Sequence, residues 1–178
     1  LNFMTLLKRI TEVDGDFVIR LLYIHPDMFP LELLDFIRNH PKVLPYFDIP
    51  FQHADEKILR SMGRKGTVES HLALIQTIRE MLPDSVIRST ILLGYPGEDD
   101  DSFRAVMDFL RRAQLDWVGS FVYSLEEGTK AAALTNERNH KKLVSKARKA
   151  QRELEELQLS ITQARLAAFA GREMDVLI

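Results

Sequence analysis

The sequence predicts an α/β fold, a partial (β/α) barrel of about four parallel strands followed by a long helix. Four apolar or β-rich segments alternate with segments of helical periodicity, which is typical of parallel strands joined by right-handed crossovers. Residues 136–170 then contain no Gly or Pro and are rich in strong helix formers. From the residues alone, four βα units are half of an eight-unit barrel or a small open sheet.

Composition excludes several kinds of protein. The 178 residues are 46% hydrophobic, which is enough for one sizeable core, and the net charge of −2 gives no global electrostatic case for binding nucleic acid. There is no run of 18 apolar residues and no secretion signal, so we expect no membrane partner and a cytoplasmic location. The absence of cysteine excludes disulfides, thiolate catalysis and any cysteine-held metal cluster within this chain.

Turn residues bound the first two βα units. Residues 1–13 carry apolar side chains at helical spacing, and an Asp-Gly-Asp turn separates them from an apolar strand over 17–24. Pro30 begins a short helix that stops before Pro41, and a second strand is predicted over 46–51. We expect the first strand to be buried, because nearly all of its residues are apolar.

Capping residues define the next two units. Asp55 begins a short helix that Gly63 ends, and Thr67 caps a longer helix that stops near Pro83. A third strand over 87–93 is continuously apolar at its end, so we expect it to be covered on both faces. A helix over 102–113 and a fourth strand over 116–123 complete the pattern.

The long helix has a narrow apolar seam, whose members step alternately by four and three residues: Leu143, Ala147, Ala150, Leu154, Leu157, Ile161, Ala164 and Ala168. Such a seam fits a helix lying along the barrel wall or a helix–helix contact between two chains. We expect residues 1–135 to form the partial barrel and 136–171 the helix of the same domain. Residues 172–178 resemble the first strand of a further domain, and the start at Leu1, inside a predicted helix, suggests a fragment.

The stretch 87–103 reads as strand, glycine turn and helix start, and it is the main candidate site. Gly94 and Gly97 permit backbone conformations or close approaches that side chains forbid, and Pro96 stiffens the turn between them. Glu98 follows as a carboxylate near the helix start. A ligand above the strand end would touch the Gly94 backbone and Glu98, and the alternative is an ordinary βα loop.

Other strand ends carry weaker candidates, because ligands of parallel α/β folds bind at the carboxyl ends of strands. His25 and His53 are metal-ligand candidates, although surface or hydrogen-bonded histidines explain them better. Gln52 suits a ribose or carboxylate, or else a hydrogen bond at a helix entry. Arg64 either reaches a ligand carboxylate or is solvated. The basic residues around the long helix form a solvated face or an RNA contact: Lys130, Arg138, Lys141, Lys142, Lys146, Arg148 and Lys149.

Four motifs resemble the radical S-adenosylmethionine methylthiotransferase family in order and spacing. They are FDIPFQHAD at 47–55, ILRSMGR at 58–64, TILLGYPGE at 90–98 and FVYSLEEGT at 121–129. The Gln52-His53 pair and the Ser-x-Glu-Glu-Gly-Thr loop look like the branch that adds a methylthio group to an aspartate β-carbon in small-subunit ribosomal protein twelve. The sister branch, which modifies adenosine of tRNA, usually has Gln-Ser-Gly-Ser and Ser-Pro-Arg-Pro-Gly-Thr at these places.

The resemblance implies a cofactor and a set of binding residues. The cofactor is S-adenosylmethionine, whose reductive cleavage gives a 5′-deoxyadenosyl radical that removes hydrogen from the aspartate β-carbon. By resemblance, residues 94–98, from Gly94 to Glu98, face the adenine, and Val122 and Tyr123 line the adenine side of the pocket. Gln52 faces the ribose or the methionine part, and Arg64 the methionine carboxylate. No catalytic residue and no metal ligand is predicted in this chain.

One departure from the family decides what this chain can do alone. The family holds a 4Fe–4S cluster on a Cys-x-x-x-Cys-x-x-Cys loop and a second cluster on three cysteines of an N-terminal domain, and this chain has no cysteine. The resemblance therefore implies the later half of the radical barrel, inactive by itself, with 172–178 beginning a truncated TRAM domain that contacts RNA.

Two further expectations concern partners. A half-barrel leaves the strand over 17–24 with an open edge, which predicts a homodimer or aggregation. The alternative function from another class is a non-catalytic α/β module that acts through its long helix.

Overall fold

A computed structural model describes residues 2–173 of the chain. The helices are α1 (Phe3–Thr11), α2 (Glu32–Asn39), α3 (Glu56–Ser61), α4 (Val68–Met81), α5 (Asp100–Ala113) and α6 (Glu137–Ala167). The strands are β1 (Ile19–Leu21), β2 (Val43–Asp48), β3 (Val86–Leu93) and β4 (Trp117–Val122). Most of the predicted strand at 172–178 lies outside the described residues. Within residues 2–173, none of the helices combines the length and apolarity that crossing a bilayer requires.

The strands form one parallel sheet in the order β1-β2-β3-β4. Each strand therefore pairs with its sequence neighbour, as predicted for consecutive βα units. The part of the chain that the structure describes is an open sheet and does not close into a barrel. The α/β prediction is confirmed, and all four strands end at one common edge, which we call the carboxyl edge.

The core lies between the sheet and a layer of helices on one of its faces. Along β3, buried Ile87, Ser89, Ile91 and Leu93 alternate with partly exposed residues. The prediction that β3 is covered on both faces is wrong for residues 2–173, where the helices cover only the face that Ile87 and Ile91 share with the core cluster. The other face is partly open, and on it Arg88 forms a 2.9 Å ion pair with Asp48.

The first strand differs most from its prediction. It covers Ile19–Leu21 instead of 17–24, and Val18, Leu22 and Tyr23 are exposed. The reason is its position at the edge of the sheet, where only β2 pairs with it. Tyr23 has a left-handed φ of 58°, which lies outside the strand conformation. The expected homodimer through this edge stays a prediction.

Two other predictions need correction in detail. Strand β2 begins and ends three residues earlier than predicted, and Gln52 instead makes an isolated parallel bridge to Ile91. In α1, Leu7 is buried together with Met4, whereas Phe3, Leu6 and Ile10, which the helical spacing places on the same side as Leu7, are exposed.

Helix α6 lies along the helix side of the sheet. Its seam residues Ala147, Leu154 and Ile161 belong to the core cluster, which supports the barrel-wall interpretation of the long helix over a contact between two chains. At the opposite edge from the strand ends, the Arg165 Nε donates to Asp116 Oδ1 at 2.8 Å, and the backbone N–H of Ile87 donates to Oδ2 at 2.8 Å. The helix thus runs from the carboxyl edge to the opposite edge of the sheet, where the strands begin, which we call the amino edge.

Candidate functional site

The tips of β2 and β3 are tied together by backbone hydrogen bonds. The Gln52 N–H donates to the carbonyl of Thr90 at 2.9 Å, and its carbonyl accepts from the Leu92 N–H at 2.8 Å. Gln52 holds a left-handed φ of 71°, a conformation that costs energy in a non-glycine residue. The Gln52 side chain makes no hydrogen bond within residues 2–173, so its amide is available at the carboxyl edge.

A buried histidine and a buried glutamate join the two loops that follow these strands. The His53 Nδ1 accepts from the Asp55 N–H at 2.9 Å, so the ring proton must sit on Nε2, which donates to Glu98 Oε1 at 3.0 Å. The other carboxylate oxygen accepts from the Gly94 N–H at 2.6 Å. His53 is fully buried, as the hydrogen-bonded interpretation predicts. Both oxygens of Glu98 therefore have partners inside the protein.

Gly94 is required by its conformation and by a close approach to helix α6. Its φ is +78°, and a Cβ atom at this position would lie 2.9 Å from the Cβ of Ala147. This contact is tighter than real Cβ atoms tolerate, and the neighbour is a helix that the sheet holds in place. Helix α6 thus occupies the space into which a side chain at position 94 would project.

We expect Gly94→Ala to lower the free energy of unfolding by about 2–4 kcal/mol, because it adds backbone strain to overpacking against Ala147. Gly128→Ala is the matched control, since Gly128 has the same φ of +78° but nothing within 4 Å of the added Cβ. Urea denaturation of both variants measures the difference. Equal losses would mean that only the backbone conformation matters, and Ala147→Gly should recover part of the Gly94→Ala loss.

Arg64 lies beside the loop that leaves β2. Its Nη1 donates to the carbonyl of Pro50 at 2.9 Å, and its other guanidinium N–H groups make no hydrogen bond within residues 2–173. Burial lowers the pKa of the Arg64 guanidinium, and the nearby Asp27 carboxylate opposes that shift. Arg64 is thus a half-buried cation with donors to spare, which is the condition that carboxylate binding requires.

Val122 and Tyr123 end the fourth strand beside the glycine turn. Val122 pairs with Leu93, and the Tyr123 N–H donates to the Leu93 carbonyl at 2.8 Å. The Tyr123 ring contacts Tyr95 with centroids 5.4 Å apart and His140 of α6 at 5.7 Å. Its hydroxyl is buried and has no hydrogen-bond partner in the described part of the chain. A buried hydroxyl without a partner is costly unless a ligand or water completes it.

The residues at the carboxyl edge fit one implied group and not the other. An iron–sulfur cluster does not fit here, because the chain lacks cysteine and residues 2–173 bring together no three His, Asp or Glu side chains able to hold a metal. A nucleoside with an amino-acid tail fits better, since Gln52, Arg64 and Tyr123 offer unused polar groups near one edge of the sheet.

Sequence reasoning missed a second buried histidine. His71 of α4 is buried, and neither ring nitrogen has a hydrogen-bond partner within the described residues. Burial lowers the pKa of His71 to about 4. The only sequence hint is its place on the apolar face of α4. Its neighbour Gly66 lies in the loop just before α4, whereas Asp27 comes from a distant loop that no spacing rule connects to His71.

The class of protein to which this open α/β sheet belongs follows from sequence comparison. Residues 1–110 match the sequence model described as "Radical SAM superfamily", and the chain belongs to this superfamily. Within it, the chain is similar to two curated proteins named "Ribosomal protein uS12 methylthiotransferase RimO". The one from Pseudothermotoga lettingae is 41% identical over 97% of this chain, and the one from Treponema denticola is 42% identical over 97%.

These similarities cover only part of the relatives. The chain spans 39% of the Pseudothermotoga protein and 38% of the Treponema protein. Among solved structures, coproporphyrinogen III oxidase (HemN) from Escherichia coli, described as a radical SAM enzyme, superposes with a TM-score of 0.59. It is 19% identical, and the superposition covers 80% of this chain and 34% of that one. This likeness confirms the fold alone.

Proposed function

We propose that residues 1–178 form part of a radical S-adenosylmethionine enzyme that transfers a methylthio group to the β-carbon of an aspartate in ribosomal protein uS12. The observation that carries the proposal is the similarity to the RimO proteins, which extends over 97% of the chain at about two residues in five. The motifs at 47–55 and 121–129 also favour this branch over the one that modifies tRNA. S-Adenosylmethionine, when bound, supplies the radical and the methyl group.

In this proposal the chain supplies one wall of the cofactor pocket. Arg64 donates to the methionine carboxylate, because it is a half-buried cation with unused N–H groups. The Gln52 amide binds the ribose or the methionine part. Val122 and Tyr123 line the adenine, whose polar edge would hydrogen-bond the Tyr123 hydroxyl, which has no partner within residues 2–173.

The turn from Gly94 to Glu98 forms the adenine side of this pocket in the proposal. Its shape is supported by Glu98, which holds the Gly94 N–H and the His53 ring at once. Glu98 therefore acts in our proposal by fixing the backbone of the turn. The cofactor carries out the bond breaking, so the contribution of the protein is to bind the cofactor and to orient it.

The same proposal assigns the missing chemistry to other parts of a longer protein. We propose two 4Fe–4S clusters held by cysteines outside residues 1–178, and a TRAM domain for RNA contact that begins near residue 172. Without cysteine, the chain by itself should transfer no methylthio group.

Deletion of the gene for the longer protein tests the proposal. We expect mass spectrometry of uS12 from the deletion strain to lose the methylthio group on one aspartate, while tRNA keeps its modified adenosine. A gene carrying Arg64→Ala should fail to restore the uS12 modification. Arg60→Ala is the matched control, because Arg60 is an exposed arginine of α3 whose ion-pair partner among residues 2–173 is the exposed Glu56.

The outcomes separate the alternatives. Unchanged uS12 together with lost tRNA modification would favour the tRNA-modifying branch. No change in either would favour a non-catalytic module. Full restoration by Arg64→Ala would refute the role proposed for Arg64 in binding the methionine carboxylate, while leaving the substrate assignment in place.

A further inference from the structure

The solvent-facing side of α6 concentrates positive charge in its N-terminal half. Between residues 137 and 152 the helix carries one acidic residue, Glu137, and seven basic ones: Arg138, Lys141, Lys142, Lys146, Arg148, Lys149 and Arg152. The next turn is acidic, and the whole chain has a net charge of −2. Solvated helix surfaces usually mix the two signs at neighbouring positions. Here the charges are segregated along the helix.

The seven basic side chains are exposed, since the seam of α6 faces the sheet. Arg148, Lys149 and Arg152 line a shallow groove on the helix surface and make no ion pair within residues 2–173. By contrast, Lys141 pairs with Glu137 and Lys146 with Asp100. We call Arg148, Lys149 and Arg152 the basic triad.

This half of α6 lies at the carboxyl edge of the sheet, beside the candidate site. Ala147 packs against Gly94, and the His140 ring contacts Tyr123 at 5.7 Å between centroids. The acidic half leads away toward Asp116 at the amino edge. A partner bound to the basic half therefore lies next to the rim where a macromolecular substrate would enter.

We propose that the basic half of α6 binds the phosphate backbone of RNA. Its cations extend over roughly 20 Å of helix, and a linear polyanion with regularly spaced phosphates complements such a stripe. Two members of the basic triad are arginines, which bind phosphate with paired N–H donors. The proposed contact is to the phosphate backbone, so it is independent of RNA sequence.

RNA binding goes beyond the proposed function, because it is a property of this chain and its test needs no methylthio transfer. The two are related in one respect that rests on the proposed function. A ribosomal protein on the assembled small subunit is surrounded by ribosomal RNA, so the basic half would hold the subunit while the carboxyl edge meets the target aspartate.

Fluorescence anisotropy of residues 1–178 with a short labelled RNA hairpin tests the proposal. We expect binding that weakens as salt rises, and replacement of the basic triad by Gln should weaken it by about tenfold or more. In a plot of log affinity against log salt concentration, the slope for the triple variant should be less negative than that for the parent chain by roughly 2–3. Each lost phosphate contact accounts for about 0.7–0.9 of this change in slope. Circular dichroism establishes that the variant keeps its helices.

A control variant removes equal charge elsewhere, with Lys8, Arg9 and Lys57 replaced by Gln on the exposed surfaces of α1 and α3. We expect its RNA affinity to stay within about twofold of the parent chain. Equal weakening by both triple variants would overturn the proposal, since net charge alone would then explain binding. The proposal would also be overturned if the parent chain did not bind the hairpin, or if it bound poly-glutamate and not RNA.

Discussion

Glu98→Ala is expected to lower the free energy of unfolding by about 3–5 kcal/mol, a large loss for a single loop residue. The carboxylate is almost completely buried, with its side chain 8% exposed, and it accepts from the Gly94 N–H and the His53 Nε2–H. Its removal leaves two buried donors without acceptors. Each such donor costs about 1–3 kcal/mol, and the removed side chain also leaves a cavity.

Urea denaturation of two further variants makes the cause visible. Glu98→Gln keeps one acceptor oxygen, so we expect a loss of only about 1–3 kcal/mol. Glu126→Ala is the matched control, because Glu126 lies in the loop after β4 and, in the described part of the chain, its carboxylate accepts only from the exposed Ser124 hydroxyl. Its effect should stay below about 0.5 kcal/mol.

A double-mutant cycle with His53→Ala isolates the bond between the two side chains. We expect a coupling energy of about 1–3 kcal/mol, because both groups are buried and removing either one leaves the other unpaired. A coupling near zero, or a Glu98→Ala loss no larger than that of Glu126→Ala, would contradict the view that Glu98 fixes the turn.

The fold was largely predictable because it follows from local patterns. Thr67 and Asp55 cap the helices that the sequence assigns to them, and Gly63 ends α3 with a left-handed φ. The alternation of strands and helices predicts a sheet in which each strand pairs with its sequence neighbour. The observed order, β1-β2-β3-β4, agrees with this prediction. Features that depend on residues close together in the sequence, such as helix ends, are therefore well predicted.

Burial was harder to predict, because it depends on what covers each face. The apolar residues of β3 indicated two covered faces, yet helices cover only one of them in the described residues. Val18 and Leu22 belong to an equally apolar segment, but they lie at a sheet edge and remain exposed. A single strand's composition does not encode its place in the sheet order.

The candidate site shows the same division. The sequence located the glycine turn and its acidic residue, and both lie at the carboxyl edge. It did not identify Ala147 as the neighbour of Gly94 or His53 as the partner of Glu98. The two members of each pair lie far apart in the sequence, with separations of 53 positions for the first pair and 45 for the second. Nor did residue type indicate the left-handed φ of Gln52, which tertiary pairing with Thr90 and Leu92 imposes.

The stability of the chain should fall as the pH drops from about 6.5 toward 4, and His71 should account for a large part of the fall. Burial among Phe51, Phe109 and α4 lowers its pKa from 6.5 to about 4. The Asp27 carboxylate opposes this shift of the His71 pKa, and Coulombic interactions with Arg64 and His25 add to it. Neither ring nitrogen has a partner within residues 2–173, so a protonated ring would have no acceptor in place.

The direction follows from proton linkage. Above pH 6.5 the ring is neutral in both the folded and the unfolded chain, so it contributes no pH dependence. Between 6.5 and 4 the unfolded chain binds a proton that the folded chain does not, and unfolding becomes easier by up to ~3 kcal/mol. Below 4 both states are protonated and this contribution levels off.

Urea denaturation across this pH range, on the parent chain and His71→Phe, measures the contribution. Carboxylates titrate in the same range in both proteins, so the difference between their curves isolates His71. We expect the His71→Phe curve to be shallower by up to ~3 kcal/mol between pH 6.5 and 4. Phe109→Leu is the control, since it disturbs the same cluster without removing a titrating group and should shift the curve without changing its slope. Parallel curves for the parent chain and His71→Phe would show that His71 takes up its proton equally easily in the folded and unfolded chain.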